Sequence, residues 1–146
     1  MIITIASTQW TCTLASTLAE LSQGLSGTES LPTAQGMLFD LGLDYTHIDI
    51  NMQEMLYPLD IVFINSNLTV VGVLHDVQPN DEAYFDASNS LGARYFMEVN
   101  AGEAASVNVG DVVTGPIQIT DINTILGYMI PFMMIVMMMK MISNAV

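Results

Sequence analysis

The side chains able to do chemistry in this sequence are few. His47 lies between Asp44 and Asp49, and His75 is followed by Asp76. A carboxylate beside an imidazole is the orienting half of a nucleophile–His–Asp set, which also needs a Ser or Cys within hydrogen-bond reach. No nucleophile-elbow signature is present, and His75 ends an alternating strand pattern, which reads as a rim histidine. The single cysteine, Cys12, sits in the alternating stretch Trp10-Thr11-Cys12-Thr13-Leu14 and reads as a buried small hydrophobe. Asp81, Glu82 and Asp86 could offer oxygen ligands to Ca²⁺, but the stretch lacks the glycine and the terminal glutamate of a calcium loop. It is expected to be a solvated acidic loop. There is no Cys/His ligand spacing and no phosphate-cradling glycine loop. The residues therefore assign no catalytic, cofactor or metal site, and the expectation is a protein that holds something rather than turns it over.

Charge narrows the partners. The chain has 15 acidic and 2 basic residues, a formal net charge of −13. Residues 1–121 hold all 15 acids against one base, Arg94. A field of that sign repels phosphate backbones, so no nucleic-acid partner is expected. It suits solubility, a saline milieu or a basic partner. The opening Met1-Ile2-Ile3-Thr4-Ile5 lacks a basic n-region, so no cleaved signal peptide is expected.

The elements that would position these groups are short. Residues 2–14 read as one or two strands. Thr17-Leu18-Ala19-Glu20 has the form of a capping box, and Gly24 suits the end of a helix, which predicts a helix over about 17–23. Residues 26–36 are turn-rich, and residues 40–58 mix Asp and Asn with apolar positions. Leu59 to Ile64 and Val70 to Leu74 are β-branched runs joined by Asn65-Ser66-Asn67-Leu68-Thr69, a hairpin. Pro79 to Gly92 reads as a long acidic loop, Ala93 to Val99 as a strand, Ala101 to Val107 as a second short helix, and Val112 to Ile119 as a closing strand.

Three stretches resemble a known family. They are Gly24 to Pro32 with Gly36-Met37-Leu38-Phe39, then Met52 to Ile64, then Ala93 to Gly102 with Val109-Gly110-Asp111-Val112. Their order and spacing resemble the prokaryotic domain-of-unknown-function family 192 over residues about 10–119. The resemblance implies an α+β domain, a small curled mixed sheet of barrel-like form with two short helices, and no established enzymatic activity. This chain departs from the pattern where the family usually carries Arg (here Thr28), Trp-Met-Lys-Asn (here Asn51-Met52-Gln53-Glu54), Cys (here Asn80) and Asp-Gly (here Asn67-Leu68). Basic and aromatic groups suit anion sites and pocket walls, so the resemblance implies that a polar family site has been lost. Leu68, an apolar residue expected on an exposed turn, is a candidate contact.

Composition shifts after Asp121. From Ile125 to Met139 there are 15 residues without a charge or an amide side chain. Residues 122–146 read as a hydrophobic C-terminal helix appended to an acidic domain over 1–121. The stretch is near the lower length for crossing a bilayer, and its methionines make a flexible, polarisable surface. Ile125, Leu126, Met129, Ile130, Phe132, Met133, Ile135, Val136, Met137 and Met139 are the expected anchor or interaction residues. The expected function is a non-catalytic structural subunit of a larger assembly, a virus particle being one case. It would be homo- or hetero-oligomeric and held by this transmembrane or assembly helix in membrane lipid or neighbouring protein subunits. The alternative is a tail-anchored membrane protein whose head binds a small ligand or a partner.

Overall fold

A computed structural model of the protein describes residues 1–87 and 92–115. The first two strands, β1 (Ile2–Ile5) and β2 (Thr8–Ala15), pair antiparallel. Their two-residue connection holds Ala6 and Ser7 at φ 50° and 67°, the doubly left-handed geometry that matches strand twist in a tight hairpin. The chain then passes through α1 (Leu18–Gln23) to reach β3 (Gln35–Tyr45), which lies parallel to β2. A parallel neighbour requires such a crossover. Gly36 fits this junction because a Cβ there would meet the Glu98 carbonyl at 2.7 Å and Val99 Cγ1 at 2.9 Å.

β4 (His47–Asn51) leaves this sheet and pairs with β7 (Glu82–Asp86) in a separate two-stranded sheet. The remaining strands are β5 (Leu59–Ile64), β6 (Val70–Val77), β8 (Ala93–Asn100) and β9 (Val113–Thr114). They complete a seven-stranded sheet in the order β6-β5-β8-β3-β2-β1-β9. Its two ends are tied to each other. Val113 pairs with Ile5 of β1 and donates its N–H to the Leu68 carbonyl at 2.8 Å. Val70, at the start of β6, donates to the Asp111 carbonyl and accepts from Gly110 N–H. Residues 110–113 thus bridge the first and last strands, and the sheet curls.

Strand periodicity sorts the interior into two faces. Leu59, Ile61 and Phe63 of β5 join a cluster with Phe39, Phe96, Leu25, Met55, Ile48, Ile50 and Phe85. Phe39 stacks on Phe96 at 4.3 Å and Phe63 on Phe85 at 4.8 Å between ring centres. The β4–β7 sheet and the segment after α1 therefore cover one face of the main sheet. Asp60, Val62 and Ile64 point to the other face, and all six residues of β5 are buried. Gly72 lets β7 approach, since a Cβ there would meet the Phe85 ring at 3.0 Å.

Asp60 is a fully buried carboxylate. Its Oδ1 accepts the Asp76 N–H at 2.9 Å, and its Oδ2 accepts those of Gly102 and Ala104 at 2.9 and 3.0 Å. One side chain thereby fixes the end of β6 and the turn after β8.

The expected α+β class is corrected by these observations: the described residues are dominated by strands, and α1, six residues long, is their one helix. The helix expected over Ala101 to Val107 is a run of turns. Its Glu103 and Val107 N–H groups bond to carbonyls three residues back, while those of Gly102 and Ala104 go to Asp60, so no helical ladder forms. The acidic loop expected over 79–92 contains β7. The stretch over 40–58, where Asp and Asn mix with apolar positions, contains the end of β3 and all of β4. The membrane-spanning helix is also corrected: among the described residues no helix is long and apolar enough to cross a membrane. Residues 122–146, with Ile125, Leu126, Met129, Ile130, Phe132, Met133, Ile135, Val136, Met137 and Met139, lie outside the described residues, as does the closing strand beyond Gly115.

Replacing Asp60 with Ala should leave three donated N–H groups without an acceptor, in part-buried to buried surroundings. Loss of such a set is worth about 3–5 kcal/mol. Urea unfolding of Asp60→Ala against the parent should show a lower midpoint at unchanged slope.

Candidate functional site

The three stretches singled out in the sequence meet at one pocket. Its volume is about 310 Å³, and Gly24, Leu25, Asn51, Met55, Phe96 and Glu98 line it together with the last turn of α1 and Asp49. The helix is placed by its capping box. Thr17 Oγ1 accepts the Glu20 N–H, and Glu20 Oε2 accepts those of Ser16 and Thr17 at 2.9 and 3.1 Å. Those N–H groups, with Ser16 first, hold the Glu20 carboxyl below its ordinary value. Gly24 ends the helix at φ 49°, and a Cβ there would meet the Phe39 ring at 3.0 Å. The turn drops Leu25 into the core. Gly27 N–H then bonds to the Glu54 carbonyl at 3.2 Å, which ties this wall to the one carrying Asn51 and Met55. Thr28 Oγ1 donates to the Leu25 carbonyl at 2.6 Å and pairs with the Tyr57 hydroxyl at 2.7 Å.

Glu98 is the unusual member. It shares a strand face with Phe96, between Met37 of β3 and Ile61 of β5. It is 6% exposed, and its carboxyl makes no hydrogen bond or ion pair with any described residue. Burial without a partner disfavours the charged form and pushes this carboxyl up to about 8. The other acid on the wall, Asp49, is exposed and held by His47 Nε2 at 3.0 Å. The pocket thus combines apolar side chains (Leu25, Ile50, Met55 and Phe96) with polar ones (Ser22, Gln23, Ser26 and Asn51), a buried unpaired carboxyl and an exposed acid, Asp49.

The sequence candidates are dispersed. His47 pairs with Asp49, but Asp44 instead accepts from Ser66 N–H and Oγ at 3.0 and 2.7 Å. His75 Nδ1 lies 3.6 Å from Asp60 Oδ2, so its neighbouring carboxylate is Asp60 and not Asp76. Cys12 is buried, and desolvation pushes its thiol up to about 12. Asp81, Glu82 and Asp86 do not converge. Glu82 and Asp86 stand on a strand, and among the described residues no group of three or more His, Cys, Asp or Glu is placed to hold a metal ion. Leu68 is buried at φ 56°, which corrects its expected exposure: the residue tucks under the bridge to Val113.

A family profile settles what these stretches share. The profile described as DUF192, an uncharacterized ACR family, matches residues 1–115. The chain belongs to DUF192. Two solved structures are similar. A protein of unknown function from Novosphingobium aromaticivorans DSM 12444 is 26% identical with a TM-score of 0.70, covering 79% of this chain and 84% of that one. A protein from Sinorhizobium meliloti 1021, described as a proposed transcription regulator, is 31% identical with a TM-score of 0.67, covering 78% and 90%. No curated protein matches the chain.

Within DUF192 some of the departures noted in the sequence lie at or beside this pocket, whereas Asn67-Leu68, in the β5–β6 connection, does not. Asn51 lines the Glu98 pocket and, with Met52 and Gln53, a second hollow beside it. Thr28 stands behind Leu25. Glu98 itself was missed, although a lone acid on the same strand parity as Phe96 is a usable signal.

Glu98 should make stability depend on pH. Below about 4.5, its ordinary value, the carboxyl is neutral folded or unfolded and its burial is unopposed. From there to about 8 the folded protein keeps a proton that the unfolded chain releases. Stability therefore falls as pH rises through that window, by several kcal/mol in all, and levels off above it. Glu98→Gln should flatten this slope, and denaturant unfolding at pH 5 and pH 8.5 measures it.

Proposed function

We propose that this DUF192 domain is a non-catalytic binding domain whose pocket takes a small organic cation, a primary ammonium group on an apolar stem. The observation that carries this reading is the buried, unpaired Glu98 carboxyl beside Phe96, Met55 and Leu25, in a hollow whose other walls include Ser22, Gln23, Ser26 and Asn51. A volume of about 310 Å³ is at the lower end for ligand pockets, so the ligand is compact. An ammonium group would supply the partner that Glu98 lacks, and a charge-assisted bond to a buried carboxyl is strong. Asp49 at the rim has the same sign. Where the family resemblance implies Arg, Trp and Lys near this pocket, the chain has Thr28, Asn51 and Gln53. Those replacements remove cations that would compete for Glu98 or repel the ligand.

The charge of residues 1–121 argues against direct nucleic-acid binding, so the description of the Sinorhizobium relative is not carried over. The structural-subunit reading rests on residues 122–146, outside the described residues. The site favours the ligand-binding alternative.

Titration calorimetry with 1-aminopentane, repeated in buffers of different ionisation enthalpy, tests the proposal. At pH 7 the empty site holds its proton, so binding should release about one proton per ligand and tighten toward pH 8. Glu98→Gln should weaken binding at least about tenfold, whereas 1-pentanol should not bind. Unchanged affinity in Glu98→Gln, or equal binding of the alcohol, would overturn it.

A further inference from the structure

A larger groove than the Glu98 pocket lies elsewhere, between β6 and β7, with a volume of about 680 Å³. Its floor includes Phe63 and Phe85, and its β6 wall runs from Val71 to Val77. β6 is the last strand of its sheet, and only Val70, at its start, is bonded outward, to residues 110 and 111. From Val71 to His75 its outer backbone groups form no hydrogen bond with a described residue. β7 is likewise paired on one side only, with β4. Open strand edges are templates for another strand, and protein–peptide recognition uses them.

The groove also has a sign. Asp76, Asp81, Glu82 and Asp86 line it, and His75 is the one basic side chain among the lining residues. Arg94 is paired with Asp40 at 3.0 Å, and Lys140 is the chain's other basic residue. A second copy of this chain, at −13, would be repelled, and so would a nucleic acid.

We propose that this groove binds an extended segment of a basic protein partner, which adds as a strand to the open edge of β6. Five residues, Val71 to His75, offer a pairing edge of ~17 Å. Alternate side chains of the added strand would rest on the Phe63–Phe85 floor, and its lysines or arginines would face the β7 carboxylates. This site is independent of the Glu98 pocket.

The test is fluorescence anisotropy of a labelled decapeptide of alternating lysine and valine with the full-length chain. The peptide should bind, and its affinity should fall with added salt. A glutamate–valine decapeptide should not bind. N-methylation of every second backbone nitrogen should abolish binding when it blocks the edge that pairs, and should be tolerated in the alternate register. Glu82→Gln combined with Asp86→Asn removes two exposed carboxylates that no described side chain uses, and should weaken binding about fivefold or more. Glu98→Gln should leave peptide binding unchanged, so failure here is distinguishable from failure of the amine reading. Equal tolerance of both methylation registers, binding unaffected by the double substitution, or no binding at all would each overturn the proposal.

Discussion

A carboxylate with no room for water holds this fold together. Asp60 sits near the start of a strand buried on both faces, and three backbone N–H groups from two distant segments converge on it. A buried charge is tolerated only where its lone pairs are satisfied, so the end of β6 and the turn after β8 must stay where they are. That requirement propagates. The turn over 101–107 leads to residues 108–113, which close the sheet. The position of β6 sets the groove opposite β7. The register of β8 against β5 carries Phe96 and Glu98 to the pocket.

Two buried acids with opposite surroundings therefore divide the labour. Asp60 is engaged by three backbone N–H groups, with His75 Nδ1 3.6 Å from its Oδ2. Glu98 lies on the opposite face of the same sheet, with apolar neighbours and no donor. The structural carboxylate and the one proposed to meet a ligand differ in their hydrogen bonds and not in their burial, which is nearly the same. The acidic surface acts at longer range: its field repels polyanions and favours cations, in keeping with both proposed sites.

Much of the sheet was legible in the sequence, because β5, β6 and β8 are β-branched or aromatic runs and α1 carries a complete capping box. The turns over 101–107 were not, since Ala101 to Val107 has helix-forming residues and the acceptor that diverts its N–H groups is some forty positions away. β4 and β7 were hidden by composition. His47-Ile48-Asp49-Ile50-Asn51 alternates as a half-buried strand should, but Asp and Asn are rare in strands, and the neighbouring sheet that buries Ile48 and Ile50 is invisible locally. Leu68 looked exposed because hairpin tips usually are; the bridge to Val113 that covers it is a long-range contact. The pocket's walls were on the page as motifs, yet nothing local marks Glu98 as lacking a partner, which is a property of three strands together.

The bridge between the sheet's ends sets a schedule for synthesis. β1 leaves the ribosome first, yet one of its two neighbours is β9, and β6 obtains its outer partner only when residues 110–113 arrive. Until then the nascent chain presents unsatisfied borders rich in isoleucine and valine. Pairings of such long sequence separation form slowly, and half-made sheets are prone to association. The surplus of negative charge, spread over the segments that emerge before closure, opposes such association by mutual repulsion.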